Sequence, residues 1–317
     1  MRKNCEFGLN TMGPEGLTYC AILTTFNGQK TVISALESII NQTIKPSEII
    51  IIDDCSIDQT PHLLKSVIPD LHNAKLILNT SNIGQSASRN LGALQSDSDI
   101  LVFFDDDDVS SNLRAKTHIE LHANKSSLSF VSSKKVYPNG YNIESINHDV
   151  SDLRLDSKVW LKKLTSGKSR GIPNNLWVPA STSAISRVVF NSMNGYDESF
   201  RRLEDSELVI RCALEGLTAS WTSEILVTRN ATESSVKGGK IEMKYERQLL
   251  IKHRELMSAE ELKKRIGLIS IREAYFAKRY LTLVYLLIRN PGISFSSLLR
   301  IRGFVGRIIH DIRKSRE

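Results

Sequence analysis

Cysteine is scarce in this chain, and its placement excludes more than its number does. Cys5, Cys20, Cys55 and Cys212 are scattered through 317 residues with no C-x-x-C pair. That rules against a disulfide framework or a cysteine zinc site, and reduced cytosolic thiols are expected. Long apolar runs are missing as well. The longest, YLTLVYLLI (Tyr280 to Ile288), falls far short of the ~20 residues that cross a bilayer. The opening MRKNCEFGLN is basic without an apolar stretch, so no secretory leader is expected. There is no G-x-G-x-x-G, no H-E-x-x-H and no internal repeat. SGKS (Ser166 to Ser169) lacks the leading glycine of a phosphate-binding loop, because Lys162 stands there, and no apolar strand precedes it. Three tryptophans and five methionines are too dispersed to form a cofactor box.

What remains is globular: 41% hydrophobic and 24% charged residues, enough for one large domain or two modest ones. The net charge of +7 is unevenly placed. From Lys240 onward, 18 Lys and Arg face 8 Asp and Glu, a net +10, whereas the rest of the chain, 24 against 27, is −3. A nearly neutral body with a basic tail is expected to meet an anionic surface, a membrane rather than a nucleic acid, or another subunit.

Two stretches carry the pattern that matters. IIIIDDCSIDQT (Ile49 to Thr60) and DILVFFDDDDVS (Asp99 to Ser110) each run an apolar strand into carboxylates. Around them, strand-like and helix-like runs alternate. YCAILTT (Tyr19 to Thr25), EIIIID (Glu48 to Asp53), KLIL (Lys75 to Leu78) and DILVFFD (Asp99 to Asp105) read as strands. Val32, Ile33, Leu36, Ile39 and Ile40 fall at helical spacing. Thr60 and Pro61 read as an N-cap and first helical position, and Ser86 as the cap of a helix carrying Ala87, Leu91 and Leu94. This rhythm predicts an α/β fold, a mostly parallel sheet with helices on both faces. Ligands of such sheets bind beyond the carboxyl ends of the strands, where both acidic clusters sit. Further on, a helix is expected from Glu204 to about Glu215 and two short strands around Trp221 and Leu226. A helical tail, broken at Asn290–Gly292, is expected from Ile241.

Asp105 to Asp108 repel one another, and a divalent cation with oxygen ligands would relieve that. Asp105 and Asp107, spaced D-x-D, are the expected ligands; Asp108 alternatively caps the next helix. Asp53 and Asp54 would serve a receiver-like phosphotransfer domain, although the first strand then ends in Thr24-Thr25 where an acid would be expected.

Four segments, in order, resemble family-2 inverting glycosyltransferases of the GT-A fold. They are AILTTFNGQKTVISALESIINQT with EIIIIDDCSIDQT, NTSNIGQSASRNLGA (Asn79 to Ala93), FFDDDDV, and NGYDESFRRLEDSELVIR (Asn194 to Arg211). Together they cover about residues 19 to 228. The resemblance implies a GT-A, Rossmann-like domain over 15–240 and a helical tail over 241–317. It implies that Thr24, Phe26, Asp54, Ser56 and Arg89 line the nucleotide pocket with Asp105 and Asp106. Asp107 and Asp105 would hold Mn2+ or Mg2+. Asp205 would be the catalytic base, kept ionised by the helix N-terminus, and Glu204 would orient the acceptor or the base. The implied reaction moves a sugar from a nucleotide-sugar, UDP-linked, to a hydroxyl of a growing, lipid-linked glycan. It places the enzyme in the cytoplasm, peripheral on the inner face of the cytoplasmic membrane. An inactive relative that only binds nucleotide-sugar is the other reading. The chain departs from the family pattern at Phe26, usually tyrosine, at Cys55, usually a small residue, and after the last strand. There a metal-binding histidine is common, and Asn230 or Thr232 stands instead. Gly171 to Thr182, with Trp177, is the expected acceptor wall. The last segment, Ile293 to Glu317, gathers Leu298, Leu299, Ile301, Phe304, Val305, Ile308 and Ile309 on one helical side, a pattern suited to a membrane interface.

Overall fold

The computed structural model describes residues 16–137, 139–166, 176, 178–230 and 239–290. The chain divides into two compact units, Met1–Lys237 and Gly238–Glu317.

The first unit opens with the expected alternation: β1 (Tyr19–Thr25), α1 (Val32–Ile40), β2 (Glu48–Asp53), α2 (Thr60–Val67), β3 (Ala74–Leu78), α3 (Gln85–Ala93) and β4 (Ile100–Asp105). Strands β3, β2, β1 and β4 pair in parallel in that order. The four isoleucines of β2 are each no more than 2% exposed. They divide between two cores by the period of a strand. Ile49 and Ile51 join Leu23, Val102, Val32 and Leu36; Ile50 and Ile52 join Ile22, Phe103 and Ala93. Burying such a side chain is worth about 1.5–3 kcal/mol, so β2 is held firmly from both faces. Gly92 lets α3 approach this sheet, since a Cβ there would lie 2.7 Å from Ile52 Cδ1.

The chain then adds β5 (Asp108–Ser110), α4 (Arg114–Ala123), β6 (Leu128–Val136), β7 (Asn142–Ser145), β8 (Val150–Arg154) and α5 (Ser157–Ser166). It closes with β9 (Ser183–Ser186), α6 (Arg187–Ser192), α7 (Glu204–Leu214) and β10 (Thr218–Asn230). Here the sheet stops being mostly parallel. The order continues β4-β9-β6-β10-β5. Strand β9 runs antiparallel to both β4 and β6, and β10 runs parallel to β6 but antiparallel to β5 and β8. The two strands expected around Trp221 and Leu226 are one strand, β10, with register shifts between Trp221 and Val227. The polar Ser223-Glu224 step interrupts the apolar run without ending the strand. Trp160 and Trp221 stack in the core with Phe130.

Two expected caps are replaced. Helix α2 is preceded by Gln59, so Thr60 is already helical. Ser86 lies inside α3 and donates instead to the Phe200 carbonyl at 2.6 Å.

The second unit holds α8 (Gly239–Lys252), α9 (Ala259–Phe276) and α10 (Tyr280–Arg289). The sequence reading took this as one run up to Asn290; it is broken earlier, at residues 253–258 and 277–279. Ser258 caps α9 by accepting from Glu261 N, and Arg247–Glu273 and Arg272–Glu246 ion pairs tie α8 to α9. No helix among the described residues is long and apolar enough to cross a membrane. Thr232, residues 171–175 and 177 of the Gly171 to Thr182 stretch (Trp177 among them), and all of Ile293 to Glu317 lie outside the described residues.

Candidate active site

The carboxyl ends of β1, β2 and β4 converge on one cleft of about 430 Å3, lined by Thr24, Phe26, Asp54, Gly84, Gln85 and Asp106 among others. Phe26 is half exposed, and the Thr24 hydroxyl is buried with no partner.

Asp53 and Asp54 at the end of β2 are 2% and 4% exposed. Asp53 accepts from the amide and hydroxyl of Ser56, and Ser56 Oγ in turn accepts from Asn27 N at 2.8 Å. Asp54 accepts from Ile83 N at 2.9 Å, Gly84 N at 2.8 Å and Asn79 Nδ2 at 3.0 Å. Ser56 thus braces the β1–α1 loop from behind, and Asp54 both lines the cleft and pins the turn into α3. Cys55, between them, has φ 66. That left-handed conformation is why a small residue is usual there.

At the end of β4 the four aspartates part company. Asp106 turns toward β1, accepting from Thr25 Oγ1 and from Phe26 N at 3.3 Å. Asp105, Asp107 and Asp108 turn the other way and bring one oxygen each to within 4.8 Å of the others. Asp108 does not cap a helix: it begins β5, opposite Arg229 of β10. Its Oδ2 lies 3.7 Å from Arg229 Nε and has no hydrogen-bond partner. Burial, and then the Asp105 charge, push Asp107 up to about 6 and Asp108 up to about 8; burial pushes Asp106 up to about 7. Beneath the turn lies the fully buried Arg114, which donates to Phe103 O at 2.8 Å and Ser110 Oγ at 3.0 Å. Burial lowers its pKa only to about 10, so it stays a cation. Three clustered carboxylates, raised pKa values and an orphaned carboxylate oxygen fit a hard divalent cation. In place of the histidine common in the family, Asn230 Nδ2 donates to Asp107 O at 2.8 Å.

Arg89 joins this turn to α7. It is 1% exposed and donates to Asp105 Oδ1 and Glu204 Oε1, each at 2.7 Å. Burial alone would lower its pKa, but Asp105 and Glu204 outweigh that and raise it. Arg89 is therefore committed behind the cleft, held by two carboxylates. Gln85, which sequence reasoning passed over, also donates to Asp105, at 2.9 Å.

Glu204 and Asp205 open α7 after Leu203 at φ 64. Glu204 is spent on Arg89. Asp205 is half-buried and accepts from the adjoining Ser206, its amide at 2.6 Å. Burial, and then Glu204, push Asp205 up to about 6, above the ordinary aspartate value although it opens a helix. A carboxylate so tuned is ionised at neutral pH yet basic enough to take a proton. The rest of the segment is scaffolding. Glu207 pairs with Arg211, whose guanidinium also donates to the carbonyls of Met193 and Gly195. Asn90 exchanges hydrogen bonds with the Tyr196 backbone.

Residues 20–192 match the glycosyl transferase family 2 model, more than half of the chain. An uncharacterized glycosyltransferase of Haemophilus influenzae is 24% identical over 197 residues, 61% of each chain. The GalNAc(5)-diNAcBac-PP-undecaprenol beta-1,3-glucosyltransferase of Campylobacter jejuni is 36% identical over 88 residues, 27% of this chain and 28% of that one. The chain thus spans less than two thirds of the length of either relative. In three dimensions it resembles Staphylococcus aureus TarS crystallised with UDP, with a TM-score of 0.59 at 16% identity, covering 83% of this chain and 73% of that one. The family match runs through both acidic strand ends and α3 and does not favour a receiver-like domain. On its sequence and on the fold that carries these carboxylates, the chain belongs to glycosyl transferase family 2.

Proposed function

We propose that the chain transfers a sugar, with inversion, from a UDP-sugar to a hydroxyl of a growing, lipid-linked glycan. The observation that carries this reading is the tie that the buried Arg89 makes from Asp105 of the acidic turn to Glu204, next to which Asp205 stands at the start of α7. Thr24, Phe26 and Asp54 receive the nucleoside: the ring of Phe26 by contact, the free Thr24 hydroxyl and the Asp54 carboxylate by hydrogen bonds. Asp105, Asp107 and Asp108 would hold Mn2+ or Mg2+, which when bound offsets the negative charge gathering on the departing diphosphate. Asp205 takes the proton from the acceptor hydroxyl, while Glu204, fixed by Arg89, keeps the start of α7 in place. One base suffices, whereas a glycoside hydrolase needs a second carboxyl group as acid. The bound UDP of TarS and the undecaprenol-linked substrate in the Campylobacter relative's name support the donor and acceptor classes.

A thermal-shift screen across nucleotide-sugars with Mn2+ tests the donor. A ligand at 100 times its Kd stabilises by about 2.7 kcal/mol; no shift with any UDP-sugar rules the proposal out. An inactive relative would bind UDP without hydrolysing or transferring the sugar.

A further inference from the structure

The loop between Phe200 and Glu204 is fastened at both ends. Ser86 holds the Phe200 carbonyl, and Arg89 holds Glu204. Between these anchors stand Arg201 and Arg202, both exposed and both lining the cleft that Thr24, Phe26 and Asp106 share. Arg201 donates to Asn82 Oδ1 at 3.2 Å and passes over Gly84, where any Cβ would collide with the guanidinium. Gly84 has φ 91, so the backbone there both turns and leaves the space. Neither arginine is paired with a carboxylate among the described residues, although the cleft contains Asp54 and Asp106. The other charged groups in the wall of this cleft, Asp54 and Asp106, are acids, so these two guanidinium groups are the charged side chains of the wall that attract an anionic ligand.

We propose that Arg201 and Arg202 bind the phosphoryl oxygens of the donor diphosphate. The assignment rests on the nucleotide-sugar reading above and adds to it a cationic wall supplied by the chain itself. Guanidinium forks match phosphate geometry two bonds at a time, and charge-assisted bonds of this kind are among the strong ones. The donor, rather than a phosphate on the acceptor, is the source favoured by position, because the arginines share their cleft with the residues that receive the nucleoside.

The test is calorimetric titration of uridine, UDP and inorganic pyrophosphate into the full chain with Mn2+. The unmutated protein is compared with the double variants Arg201→Gln/Arg202→Gln and Arg201→Lys/Arg202→Lys. The glutamine variant is expected to lose about tenfold or more in UDP affinity, to lose pyrophosphate binding, and to keep uridine affinity within about twofold. The lysine variant, with charge but no fork, is expected to fall between. Unchanged UDP affinity overturns the assignment; if turnover nonetheless falls, the arginines serve a phosphate of the acceptor. An equal loss for uridine and UDP also overturns it, because the arginines then hold the nucleoside or the loop. Failure of the unmutated chain to bind UDP is a separate result, which removes the nucleotide-sugar reading itself.

Discussion

Strands β2 and β4 both end in carboxylates, and the two ends are built in opposite ways. Asp53 and Asp54 are held by donors from their own surroundings: a hydroxyl, a side-chain amide and three backbone amides. Asp107 is half-buried and Asp108 buried, beside other acids, with pKa values pushed up and one Asp108 oxygen left without a hydrogen-bond partner. The same residue type serves as a fastener at one strand end and gathers as a cluster of like charges at the other. The start of α7 repeats the contrast on a smaller scale, with Glu204 committed to the Arg89 cation and Asp205 bonded to its neighbour Ser206.

The contrast breaks most visibly at the turn. Asp107→Ala is expected to abolish transfer and to leave UDP binding indifferent to Mn2+. Equal UDP affinity with and without Mn2+ in the unmutated protein would show that the turn is no cation site. Next in size is Asp205→Asn, which keeps the shape and removes the proton acceptor. Turnover is expected to fall by about 10²-fold or more, while the Kd for UDP stays the same. With the base at about 6, the activity of the unmutated enzyme is expected to decline as pH drops below that value and to level off above it. A flat profile from pH 5 to 8 would return Asp205 to a structural role. Asp54→Ala tests the fastener. Stranding the Ile83 and Gly84 amides is expected to cost about 1–3 kcal/mol, read by chemical denaturation without any ligand. A loss of UDP binding at unchanged stability would make Asp54 a ligand group first. Smallest is Cys55→Gly, which relieves the left-handed strain between the two fasteners. A gain of about 0.5–1 kcal/mol is expected, and a loss would mean that the thiol packs better than its backbone fits.

The strands of the first half were legible because each apolar run is short, bounded and followed by polar residues. Tyr19–Thr25 and Glu48–Asp53 need no adjustment. Strand β10 was not, because Ser223 and Glu224 interrupt its pattern where the register shifts. At the site, the sequence shows which residues are acidic but not which acids are already satisfied. Arg89 read as a pocket residue because its partners, Asp105 and Glu204, lie 16 and 115 positions away. Asp108 read as a possible cap because its partner strand is more than a hundred residues distant. Arg201 and Arg202 carried no signal beyond being two adjacent charges before an acidic pair.

The division of the β2 isoleucines between two cores has a consequence for folding. A strand that alternates apolar and polar residues has its alignment fixed by the penalty of turning the wrong face inward. Strand β2 lacks that safeguard, because a slip by one residue would trade Ile49 and Ile51 for Ile50 and Ile52 and still bury isoleucine on both sides. The alignment must come from the strand's end. Asp54 reaches the amides of residues 83 and 84, and Asp53 reaches Ser56, only when the strand stops where it does. The carboxylates that close this apolar run therefore act as its ruler, measuring where β2 ends before any ligand arrives.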